Sequence, residues 1–192
     1  MLEQNTPAQP NIITSPGLKN RVVDPMAVGQ IMVDLQMSQD LIERTSIYVD
    51  DSNRLATNGI AYPKWLGRIR HFTKPQLRTA EGPFVRISSV VKGFERSADD
   101  MNITLVHELE HVAQMGRHDP KIRLGQLAIW GLALTGGIAA NRLATGHSKV
   151  GQAAATVVGV AMGQQIGYRI APHEVQARDR SHAVRMTAIT GR

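Results

Sequence analysis

The sequence predicts an α+β fold, and three features carry that prediction. β-Branched and aromatic residues gather in short runs in the first half of the chain. After Ser97 a longer stretch carries apolar residues at helical spacing. Beyond Pro120 come two runs of helix length with no charge at all, and a charged, helix-compatible segment follows Pro172.

The elements follow in chain order. Residues 1–20 are rich in Pro, Asn and Gln and read as a flexible arm. They have neither a basic n-region nor an apolar h-region, so no secretory signal is expected. Asp24-Pro25 opens a stretch in which Ile31, Leu35, Met37 and Leu41 recur at helical spacing, predicting one helix from Pro25 to about Arg44. TSIYVDD predicts a short strand, and an Asn58-Gly59 turn leads to a second in IAYPKW. PFVRISSVVKGF, punctuated by Gly and Pro, is the best strand candidate. Together these predict a small antiparallel sheet. Ser97, Asp99 and Asp100 are N-cap candidates for the next helix, MNITLVHELEHVAQM, which ends at Gly116. The chain thus divides into the arm, a part containing residues 21–119, an apolar Gly/Ala-rich hairpin over 120–171, and a helix and tail over 172–192.

At 192 residues the chain can bury a real core. Its net charge of +6 raises the question of anionic partners. The Lys and Arg are scattered, however, and no aromatic residues interleave with them, so no nucleic-acid partner is expected. There is no cysteine, which excludes disulfides, thiolate metal ligands and a Cys nucleophile.

The feature that decides function is His107-Glu108-Leu109-Glu110-His111, an HExxH. Positions four apart on a helix lie roughly 40° apart around the axis, so both imidazoles can reach one ion. Zn2+ is the expected ion. Glu108 follows the first ligand directly, so its carboxylate sits beside the metal, as a general base that takes a proton from water and later delivers one to the leaving amine. Leu105, Leu109 and Val112 give the helix an apolar back, and Glu110 is expected at the rim or facing solvent.

Catalytic zinc needs a third protein ligand and an open position. The metzincin arrangement would place it at position 117, which is Arg117, and His118 comes one residue late. A carboxylate from a second helix is the alternative. Glu174 is the candidate, with His173 as a rival. With this pair of helices the sequence resembles the gluzincins, whose HExxH is completed by a Glu on a following helix. Glu174 to Ala177 looks like the glutamate helix of their minimal and membrane-associated branches. The resemblance implies a zincin-like core, with His107, His111 and Glu174 as metal ligands and Glu108 as the catalytic residue of a zinc metalloendopeptidase acting on a protein or peptide substrate. It covers about Phe84 to Arg185. Several of these families carry an Asp four residues after the ligand Glu, where this chain has Arg178, with Asp179 next. Tyr168, His182 and Arg185 flank the glutamate helix, and any of them suits the stabilisation of a developing oxyanion.

The two uncharged runs, Leu124 to Asn141 and Val150 to Tyr168, form a helical hairpin that returns the chain toward its starting level. Gly159, Gly163 and Gly167 repeat every four residues, as do Gly131, Thr135 and Ala139, which suits close pairing of the two helices. Membrane association through residues 124–168 is therefore expected, although Gln126, Asn141, Gln152, Gln164 and Gln165 weigh against it. Basic residues are denser on the side of Arg117, Lys121, Arg123, Arg169 and Arg178 than at Arg142 and Lys149. The active site is accordingly expected on the cytoplasmic face. The membrane zinc peptidases of the CAAX-prenyl-endopeptidase superfamily are similar in placing an apolar hairpin between motif and glutamate. The alternative function is a membrane hairpin scaffold whose HExxH is inactive or accidental.

Overall fold

The computed structural model describes residues 8–15, 18, 21–50, 59–62, 82–91, 93–184 and 186–191. It combines helices with small sheets, as an α+β chain should. Two compact units divide it: Met1–Arg117 with Asp179–Arg192, and His118–Arg178.

In the first unit, β1 (Asn11–Thr14), β3 (Ser46–Asp50), β5 (Phe84–Ser88) and β4 (Gly59–Tyr62) form one sheet in the order β1-β3-β5-β4. β1, β3 and β5 run parallel, and only β4 is antiparallel to its neighbour. The expected antiparallel sheet is thus corrected to a mixed one. Connection length accounts for the difference. Parallel partners need a crossover of a dozen residues or more. Between β1 and β3 the chain makes β2 (Val22–Val23) and two helices, and residues 51–83 separate β3 from β5. The arm is corrected too, because Ile12 and Ile13 sit in register with Ile47 and Tyr48. β3 is buried along its whole length, as an inner strand covered on both faces is. Asn58 and Pro63 to Trp65 of the expected turn and second strand lie outside the described residues.

The single helix expected over Pro25–Arg44 is two: α1 (Pro25–Asp34) and α2 (Gln39–Arg44). Gln36 adopts a left-handed φ of 59°. Its N–H donates to Val33 O, and that of Met37 to Met32 O, which closes the end of α1 in a Schellman arrangement. Ser38 then caps α2, its hydroxyl accepting from Leu41 N at 3.3 Å. The apolar spacing survives the break because Leu35 and Met37 stay buried on either side of it.

The remaining strand candidate folds as β5 followed by a small hairpin, β6 (Val90–Val91) with β7 (Phe94–Glu95), turning through Gly93 at φ 84°. The buried Arg96 ties this segment to the next helix, donating to Ser88 O at 3.1 Å and Asp100 O at 2.7 Å. Burial pushes its guanidinium below its ordinary pKa, with Asp100 opposing. Ser97 caps α3 (Ala98–Gly116), accepting from Asp100 N at 3.1 Å, and Asp99 and Asp100 occupy its first turn. Met101, Leu105, Leu109 and Val112 are fully buried on one stripe of α3, which packs on β4 and β5. Each such side chain contributes roughly 1.5–3 kcal/mol on leaving water. Near its start, Asn102 clamps β8 (Ile189–Thr190). Its Oδ1 accepts from Ala188 N and Ile189 N at 3.0 and 2.8 Å, and its Nδ2 donates to Ile189 O at 2.9 Å.

The second unit is the hairpin of α4 (Pro120–Leu143) and α5 (Lys149–Ile170) with the start of α6 (Pro172–Ala183). Asp119 and Ser148 cap the two long helices. Ala171 is the one non-helical residue between α5 and α6, and its carbonyl accepts from both Glu174 N and Val175 N. Gly159, Gly163 and Gly167 line the seam as expected, buried against α4. A Cβ on any of them would come closer than 3.0 Å to α4 backbone or Ala140. Opposite them, however, stand Ile129, Ala133, Gly136 and Ala140 rather than Gly131, Thr135 and Ala139. The α4 row alternates steps of four and three, which keeps it on one face, whereas a strict four-residue step drifts around the axis. Large apolar side chains point outward instead, with Trp130 72% and Leu134 66% exposed. Among the described residues, α4 is the one helix long and apolar enough to cross a membrane.

These surroundings separate two glycines. Gly163→Ala sets a methyl group against the Leu132 and Ala133 backbone and is expected to cost about 1–3 kcal/mol. Gly131→Ala meets open space and is expected to stabilise α4 by roughly 0.5–1 kcal/mol. Amide hydrogen exchange over residues 120–170 reads both: faster in the first variant, equal or slower in the second.

Candidate metal centre

α3 brings the motif together because residues three and four apart share a helix face. The Nε2 atoms of His107 and His111 stand 3.2 Å apart, with the rings edge to face at a centroid distance of 4.7 Å. Glu174, buried in the first turn of α6, completes a group with them: one ligand atom from each of His107, His111 and Glu174 lies within 4.8 Å of the others. This group could hold a metal ion. The donor set suits zinc. Two nitrogens each about 2.0–2.1 Å from a tetrahedral ion stand roughly 3.3 Å apart, close to the spacing of the histidine pair, and two His with one Glu is a known set for catalytic zinc.

Glu108 is buried on α3 beside β4. A Cβ added to Gly59 would lie 3.0 Å from Glu108 Cγ and 3.1 Å from its Oε1. Gly59, expected only as a turn residue, therefore lets the β4 backbone approach this carboxylate.

Other candidates fall differently. Among the described residues the group includes Glu174 and not His173. His173 is buried beside it, Nε2 to Glu174 Oε1 3.5 Å, with its ring over the bare Cα of Gly125. Arg178, at the position where the resembled families carry Asp, donates to the carbonyl of Arg169 at the end of α5. Asp179 and His182 are exposed, and Tyr168 is 44% exposed. Arg185 lies outside the described residues.

Glu110 is the clear correction. It is 1% exposed rather than solvent-facing, and Arg117 Nη2 donates to its Oε1 at 2.8 Å. Arg117 is the C-cap of the same helix, seven residues on, near enough to reach back and pair the buried charge. Its other terminal nitrogen donates to Leu35 O at 3.1 Å. Between them lies Gln114, fully buried. Its Nε2 donates to Glu110 Oε1 at 3.4 Å, and its Oε1 faces His111 Nδ1 at 3.1 Å. Gln114 does carry a signal in the sequence, its position three residues after His111 on the same helix face. Outer partners of this kind orient metal-binding imidazoles.

Arg117→Ala strands a buried carboxylate and is expected to destabilise the first unit by about 3 kcal/mol. Thermal denaturation checks this, and Arg117→Lys should recover part of the loss by keeping the charge but not the second bond. Compared with known proteins, the chain matches no family model, no curated protein and no solved structure.

Proposed function

We propose that the protein is a zinc-dependent metallopeptidase in which His107, His111 and Glu174 bind the ion and Glu108 is the general base. The observation that carries this reading is the convergence of those three ligand atoms within 4.8 Å, with a second carboxylate, the buried Glu108, next to His107 in the chain. When bound, zinc supplies a Lewis acid that polarises a carbonyl and acidifies water. Glu108 accepts the proton of the attacking water and returns it to the departing amine nitrogen.

A peptide substrate is supported by the sheet. β4 is one of the two edge strands of the four-stranded sheet among the described residues, and Gly59 within it adjoins Glu108. An extended chain adding to that edge would run past the general base.

The hairpin supports association with a membrane. Its interface is made of small residues, while Leu124, Leu127, Trp130, Leu134, Val157 and Met162 face outward. Lys121, Arg123, Arg169 and Arg178 lie at the Glu174 end, and Arg142 and Lys149 at the other. The positive-inside rule places the first end in the cytoplasm. The same outward apolar surface favours a second reading, a membrane hairpin scaffold with an inactive HExxH.

Zinc content and proteolysis of a mixed peptide library separate the two. The wild type is expected to bind one zinc per chain. Glu108→Gln should keep the metal and lose roughly 10²- to 10⁴-fold in turnover. Full activity in that variant, or no zinc in the wild type, sinks the peptidase reading. Independently, the full chain is expected to stay in the membrane pellet after alkaline carbonate extraction. Quantitative recovery in the supernatant overturns membrane association.

A further inference from the structure

We propose that Gln114 is the positioning residue of His111, and that Glu110 and Arg117 hold Gln114 in the one orientation that serves this role. The proposal rests on the metal-centre reading given above.

The chemistry of the contacts sets a direction. An amide oxygen only accepts, so the contact of His111 Nδ1 with Gln114 Oε1, at 3.1 Å, calls for the proton on Nδ1. The Nε2 lone pair is then available, on the side where His107 Nε2 stands 3.2 Å away. A reversed amide would turn its NH2 toward Nδ1 and select the other tautomer. Glu110 prevents that reversal. Its carboxylate, paired with Arg117 at 2.8 Å, offers only acceptor oxygens, so the amide edge facing it at 3.4 Å must be the NH2. Arg117 is fixed in turn by its bond to Leu35 O at 3.1 Å. Every link except that carbonyl lies on α3 or at its C-cap, so the relay is built by local spacing, from position 117 through 110 and 114 to 111.

Both the tautomer and the metal affinity test this, on the full chain. Nitrogen-15 NMR of the zinc-free wild type should show His111 protonated on Nδ1, and Gln114→Ala should mix the tautomers. Zinc competition with a chromophoric chelator should show Gln114→Ala binding roughly 10- to 100-fold more weakly. If Gln114→Ala does not fold, Gln114→Leu, which fills the space without an acceptor, replaces it. The change of tautomer is a readout that a merely structural role of Gln114 would not move. His111 protonated on Nε2 in the wild type, an unchanged tautomer in Gln114→Ala, or undiminished affinity in that variant overturns the proposal. A wild type that binds no zinc sinks the metal-centre reading instead, and the tautomer measurement still decides the relay.

Discussion

A helix that buries carboxylates, an amide and the backs of two imidazoles must satisfy each polar atom from its own residues or its nearest neighbours. α3 meets that requirement, and the rest of the first unit is arranged around it. Leu105, Leu109 and Val112 give it an apolar seat on the sheet. Glu110, Gln114 and Arg117 carry polarity through the interior without leaving a charge uncompensated. An ion pair with one partner buried offsets the cost of taking that charge out of water and contributes little net stability beyond this. Its presence is better explained by what it orients than by what it stabilises.

The two ends of α3 are secured by different means. At the start, Ser97 supplies a cap, and Arg96 bonds backward to β5 and forward into the first turn. Asn102 then grips the backbone of β8, so the end of the chain returns to α3 through three hydrogen bonds. At the far end, Arg117 reaches the carbonyl of Leu35, which closes α1. The motif residues lie between these ties, where rotation or sliding of the helix would break several bonds at once. Holding a reactive constellation on an element pinned at both ends is a physical route to preorganisation.

Much of this was legible in the sequence, for local reasons. The Ser97 cap, the stop at Gly116, the two long uncharged helices and the glycine row at 159, 163 and 167 all follow from spacing and propensity. What escaped depends on residues far apart in the chain or on backbone conformation. Nothing local marks Gln36 for a left-handed φ, so one helix was expected where two form. Strand direction depends on crossovers rather than on the strands, so the parallel pairing of β1, β3 and β5 was invisible. A lone carboxylate prefers water, so Glu110 is expected at the rim or facing solvent; its partner Arg117 lies seven residues on, beyond the reach that three- and four-residue spacing covers. The candidate ligands were recognisable from spacing, whereas the amide behind His111 required knowing which face of α3 is buried.

The junction at Ala171 has a consequence for the cost of assembling a ligand set. Each residue immobilised from a flexible segment forfeits roughly 1–2 kcal/mol of backbone entropy at room temperature. A carboxylate carried on a long loop would incur that loss many times over when an ion drew it in. Here one hinge residue joins two helices, and Pro172 restricts its neighbourhood further. Glu174 is therefore ordered within its own helix by folding itself, with no loop of its own to immobilise.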